Sequence, residues 1–175
     1  MPYARQYTKG EVRAIIDALC EGHKRRSSTT DHIGPAAHTL DKHWAVSMAD
    51  LTLRVTRHIG KNNVYGQHAP RTASSFHSFD DVISAVYEAL NSVLGQRELA
   101  KLDNGDDEVV IKFQTEFSFY RAQRQPDNLT ILQERQLPGL NMASRANIVI
   151  RKHKSPIDDE KLWVQTVFPD EVAIP

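Results

Sequence analysis

The apolar positions of the chain change their period once. Before Asn104-Gly105 they recur every three or four residues, and after it they alternate. Val12, Ile15, Ile16 and Leu19 follow a Thr8–Glu11 capping box, in which hydroxyl and carboxylate satisfy free backbone N–H groups at a helix start, and Gly22 ends the run. A second box, Ser47 with Asp50, precedes Leu51 and Leu53. A third, Ser78 with Asp81, opens the broadest stripe: Phe79, Val82, Ile83, Val86, Tyr87, Leu90, Val93 and Leu94. The apolar face of that helix is expected in the core, with Gly95 as its stop and a short helical turn running on to Leu99. Beyond the change of period, Val109, Ile111 and Phe113 alternate, with Phe117 and Phe119 in phase further on. Residues 129–135, 146–152 and 161–168 are further β-branched or aromatic runs, separated by turn chemistry at Pro126-Asp127-Asn128, Pro138-Gly139 and Ser155-Pro156. Helices first and consecutive strands after them predict an α+β fold, N-terminal helices followed by an antiparallel β-sheet, rather than a βαβ fold.

Two polar stretches interrupt this pattern. Residues 23–37 are basic at the start and closed by Gly34-Pro35, which reads as a linker. Residues 59–75, rich in Gly, Asn and Ser, read as a functional or flexible loop. The expected division is therefore an N-terminal helix and linker over 1–35 and a main domain over 36–175, together one compact unit, since 175 residues suit one domain better than two.

Lys plus Arg and Asp plus Glu balance at 22 each, so no global field draws the chain to a polyanion, and any nucleic-acid contact has to be a local patch. The single cysteine, Cys20, excludes an internal disulfide framework and falls at a core-facing helical position. No apolar run approaches the roughly 20 residues of a membrane span, and the N-terminus lacks a signal-peptide core, so a soluble chain without its own export address or membrane anchor is expected.

The candidate chemistry gathers in residues 38–58, which hold three of the eight histidines. A short helix carrying His38, a break, and a second helix carrying Arg54 would bring an imidazole and a guanidinium to one cleft. His38 and His43, five apart, do not share a helix face as a zinc pair would, so no metal is expected. There is no Cys-x-x-Cys, His-Glu-x-x-His, glycine-rich phosphate loop or Gly-x-Ser-x-Gly elbow, and no cofactor is implied.

Gly34-Pro35-Ala36-Ala37-His38-Thr39-Leu40-x-x-His43, the Ser47–Asp50 helix start with Leu51, Leu53 and Arg54, Thr72-Ala73-Ser74-Ser75-Phe76 before an amphipathic helix, and a last strand ending Thr166-Val167-Phe168-Pro169 come in an order and spacing that resemble the bacterial ribonuclease A-like toxin domain. That domain forms the C-terminus of contact-dependent growth-inhibition and other polymorphic toxins. The resemblance covers about residues 36–170 and implies an RNase A-like fold. It also implies a metal-independent endoribonuclease that cleaves RNA by 2′-OH transesterification to a 2′,3′-cyclic phosphate. The family's catalytic histidine falls on His38, its arginine on Arg54 and its threonine on Thr166.

Phe168 stands where the family has tyrosine, so Thr166 suffices, a hydroxyl of Tyr65, Ser74 or Ser75 substitutes, or activity is reduced. The general acid is open, with His43 a candidate, and Trp44 and Tyr65 are candidates to stack on a base. The resemblance further implies an RNA substrate, a cognate immunity protein and action in the cytoplasm of a bacterial target cell. The alternative is a catalytically weak or inactive relative that binds RNA or a protein.

Overall fold

The computed structural model describes residues 3–19, 24–26, 33–36, 43–56, 70–124, 132–135, 137–152 and 162–175. Helix α1 (Lys9–Leu19) starts at the Thr8–Glu11 box. The Thr8 N–H donates to the Glu11 carboxylate at 2.8 Å, and the Glu11 N–H returns a bond to the Thr8 hydroxyl at 3.2 Å. The Thr8 N–H, and after it the Thr8 hydroxyl at 3.0 Å, donate to the Glu11 carboxylate and hold that carboxyl below its ordinary range. Where a linker is expected, β1 (Lys24–Arg26) and β2 (Ile33–Ala36) pair as an antiparallel ribbon. Polar composition alone does not exclude strands whose backbone groups pair with each other.

Helix α2 (Met48–Thr56) is capped as its sequence predicts: the Asp50 N–H donates to the Ser47 hydroxyl at 3.1 Å. Next come β3 (Thr72–Phe76) and α3 (Phe79–Asn91), the latter capped by Ser78. Strand β3 overlaps the end of the stretch, residues 59–75, expected to be loop. Its pairing with a later strand, and the complete burial of Phe76, supply what its Ala-Ser-Ser composition lacks.

The long apolar stripe ends earlier than its periodicity suggests. Ser92 closes α3 and opens a separate helix, α4 (Val93–Asp103), by donating to the Ala89 carbonyl and accepting from the Gly95 N–H. Val93 is consequently exposed, whereas Leu94 still packs on the core. Gly95 is not a stop. It stands in the first turn of α4, where an added Cβ would lie 1.8 Å from the Ala89 carbonyl oxygen.

The alternating region divides between two sheets. Strand β4 (Glu108–Gln114) pairs with β7 (Met142–Lys152), which pairs with β8 (Leu162–Ala173). The second sheet has the order β3, β5 (Phe119–Arg124), β6 (Leu132–Arg135). Every pair within these sheets is antiparallel, so the fold is α+β as predicted, with the single run expected from Val109 to Phe119 broken at residues 115–118.

One buried cluster joins Val12 and Ile16 of α1, the inner face of α3, Leu99 and Leu102 of α4, and Ile111, Ile148 and Val167 of the first sheet. A smaller one seats Leu51 and Val55 of α2 on Ala73, Tyr120 and Ala122 of the second. Among the described residues no helix is long and apolar enough to cross a membrane.

Candidate active site

The two sheets meet where β3 runs past β8. The Ser74 hydroxyl donates to the Pro169 carbonyl, and a cleft of about 240 Å3 opens beside that contact. It is smaller than the roughly 300–1,000 Å3 of pockets that swallow a whole small molecule. Its size suits part of a polymer held from one side.

Strand parity decides which side chains enter it. In β8 the register slips by one residue: Val149 faces Thr166 but Ile150 faces Val164, leaving Gln165 as the extra residue of a bulge. Before the bulge, Leu162, Trp163 and Val164 lie in the core, with Val164 opposite the core residue Ile150; after it, Val167 does, opposite Ile148. The bulge therefore turns Thr166, Phe168 and Asp170 together to the opposite face, and all three line the cleft. In β3 and β5 the same alternation sends Tyr120 and Ala122 toward α2, and Ala73 too packs there while also bordering the cleft. Thr72, Ser74 and Arg121 line the cleft, with Ser74 directly opposite Arg121 in the register.

His43 closes the remaining side. Its Nδ1 lies 3.0 Å from the Ser74 carbonyl oxygen. A carbonyl only accepts, so Nδ1 carries a proton, and whenever the ring is neutral its lone pair is at Nε2. The ring lies 5.5 Å from that of Phe168, centroid to centroid, tilted by 39°. Ala45, at a φ of 51°, turns the chain between this histidine and the cap of α2.

Thr166 is buried, and its hydroxyl has no hydrogen-bond partner among the described residues. Almost all buried polar atoms are paired, so the unpaired hydroxyl of a residue on the cleft wall is a candidate donor to a ligand atom. The Asn147 amide nitrogen, on the strand position opposite Phe168, is a second buried atom without a partner among the described residues.

Of the residues expected from the sequence, the cleft brings together His43, Thr166, Phe168 and Ser74. Ser75 is fully buried behind it, accepting from the Val46 N–H and donating to the Phe76 carbonyl. Trp44 packs on Phe79 at 5.4 Å and does not line the cleft. Arg54 stands half-buried on α2 and is not part of the lining either. His38 and Tyr65 lie outside the described residues.

Arg121, Thr72 and Asp170 are cleft residues that the sequence does not single out. The alternation of Phe117 and Phe119, carried two residues further, is the one signal that places Arg121 on the same face as Phe119. Among the described residues, no group of three or more His, Cys, Asp or Glu side chains is arranged to hold a metal ion. A larger cleft of about 620 Å3, between residues 114–118 and the start of β7, carries Glu116 as its one charged side chain among the lining residues and so no cation for a phosphate.

No protein-family model matches the chain, and no curated protein matches it. Among solved structures it is similar to a chain of the "Crystal structure of CdiA-CT/CdiI complex from Y. kristensenii 33638", at 18% sequence identity and a TM-score of 0.48, over 77% of this chain and 99% of that one.

Proposed function

We propose that the chain is a metal-independent endoribonuclease of the ribonuclease A-like toxin kind, acting on RNA in the cytoplasm of a bacterial target cell and held in check by a cognate immunity protein. The observation that carries the reading is that one cleft is lined both by an oriented imidazole, His43, and by Thr166, whose buried hydroxyl has no partner among the described residues. Those two groups sit at either end of the sequence pattern that resembles the toxin domain.

The chemistry needs a base, an acid and donors for the charge that grows on phosphorus. His43 Nε2 takes the proton of a ribose 2′-OH, and the 2′ oxygen attacks the adjacent phosphorus. The bond from phosphorus to the 5′ oxygen breaks as that oxygen is protonated, leaving a 2′,3′-cyclic phosphate and a 5′-OH. The sequence pattern assigns the catalytic role to His38 and offers His43 as the acid; because His43 is the imidazole that lines the cleft, the roles are exchanged in this reading and His38 serves the second proton transfer. The Thr166 hydroxyl donates to a non-bridging phosphate oxygen; Arg54, the guanidinium that the sequence pattern offers for the phosphorane, stands outside the cleft lining and would serve only by reaching in from α2. Imidazole titrates near pH 6.5, so both transfers are available at neutral pH.

Phe168 favours a second reading. Without the tyrosine hydroxyl of the family pattern the cleft holds one donor fewer, and a weak or inactive relative that only binds RNA or a protein has the same residues. Incubating the protein with total RNA in EDTA separates the two. Cleavage there, with cyclic-phosphate ends, is the expected result, and intact RNA at all enzyme concentrations selects the second reading.

A further inference from the structure

We propose that Arg121 is a substrate-contacting residue of this cleft, binding a phosphate oxyanion through Nη2; the proposal rests on the ribonuclease reading for its ligand but not for its test. Arg121 is one of three arginines gathered on two carboxylates at the end of β8. Its Nη1 donates to the Gln123 side-chain oxygen at 2.6 Å and approaches the Glu171 carboxylate at 3.3 Å, while its Nε lies 3.6 Å from Asp170. Arg135 reaches Glu171 at 2.7 Å, and Arg145 reaches Asp170 at 3.1 Å. Arg121 and Arg135 are direct cross-strand partners, an arrangement that like charges destabilise unless an anion lies between them. Glu171, whose side chain is only 6% exposed, supplies that anion.

Three guanidinium groups against two carboxylates leave an excess positive charge, and the position of each group decides where it acts. Nε and Nη1 of Arg121 face the carboxylates and Gln123; Nη2 has no partner among the described residues. Arg121 also lines the cleft, directly opposite Ser74, whose carbonyl orients His43. Its side chain, 11% exposed, is fixed before any ligand arrives, so its fork costs little ordering on binding. Asp170, the one carboxylate on the cleft wall, is turned to Arg145, to Arg121 and to the Glu171 N–H, which offsets its repulsion of an anion.

The test is a titration of the full chain with inorganic phosphate, followed through the guanidinium nitrogen resonances of the arginines and repeated with Arg121→Gln and Arg121→Lys. Saturable movement of the Arg121 resonances is expected in the wild type. Arg121→Gln should weaken phosphate at least tenfold, and Arg121→Lys should retain most of the affinity. A folded Arg121→Gln protein that binds phosphate as the wild type does overturns the proposal. So do wild-type Arg121 resonances that stay still while another arginine's move, a result that stands even if the variant fails to fold. The ribonuclease reading fails separately: a wild type that cleaves no RNA in EDTA sinks that reading, while an Arg121-dependent phosphate site survives it.

Discussion

Thr166 carries the sharpest conflict between folding and chemistry. A buried hydroxyl left without a partner costs about 1–3 kcal/mol, so the fold would be at least as stable with a methyl in its place. Thr166→Val is therefore expected to leave Tm unchanged or raise it, while the single-turnover rate of RNA cleavage falls. A clear drop in Tm would mean that the hydroxyl holds the structure and not a ligand. The sequence pattern names Thr166, Phe168 and His43, and the cleft contains all three. It does not name Arg121 or Asp170, because their membership depends on which strand lies opposite and on the parity of β8. A bulge at Gln165 has no signature in Val-Gln-Thr-Val-Phe, yet without it Thr166 and Phe168 would point into the core. Ser74 shows the same limit. Its hydroxyl, one of the substitutes considered for the missing tyrosine, is spent on Pro169, and its contribution to the site is a carbonyl that no side-chain pattern announces.

At the scale of elements, start signals are legible and stops are not. The Thr8–Glu11, Ser47–Asp50 and Ser78–Asp81 boxes each open a helix, because a cap is a local bond between residues three apart. Where α3 ends is decided instead by Ser92, which serves two helices at once, and by the closeness of Gly95 to the Ala89 carbonyl. A methyl placed 1.8 Å from a backbone oxygen has no flexible neighbour to displace. Gly95→Ala is expected to cost about 3 kcal/mol or more, the upper range for overpacking, seen as a lower urea midpoint. An unchanged midpoint would mean that the turn between α3 and α4 is looser than described. Strand β3 was hidden for the opposite reason: its local composition is that of a loop, and pairing with β5 makes it a strand.

On the scale of the molecule, the change of period after Asn104-Gly105 correctly predicts an α+β fold with antiparallel strands after it, but not β1, β2 and β3, which stand among the helices before it. It does not predict that the strands divide into two sheets, since β4 and β5 are contiguous in pattern and part only at residues 115–118. That division creates the cleft: β3 and β5 supply Ser74 and Arg121 from one sheet, β8 supplies Thr166 and Phe168 from the other, and His43 spans the gap. The central claim is that this junction cleaves RNA with His43 as its base. It is tested most directly by single-turnover cleavage of one oligoribonucleotide in EDTA, with equilibrium binding of the same RNA, by the wild type and His43→Ala. The account predicts cyclic-phosphate ends from the wild type, a loss of about 10²-fold to 10⁴-fold in rate for His43→Ala, the usual range for a lost general base, and RNA affinity kept within a few fold. Undiminished cleavage by His43→Ala, or none by the wild type, would contradict it.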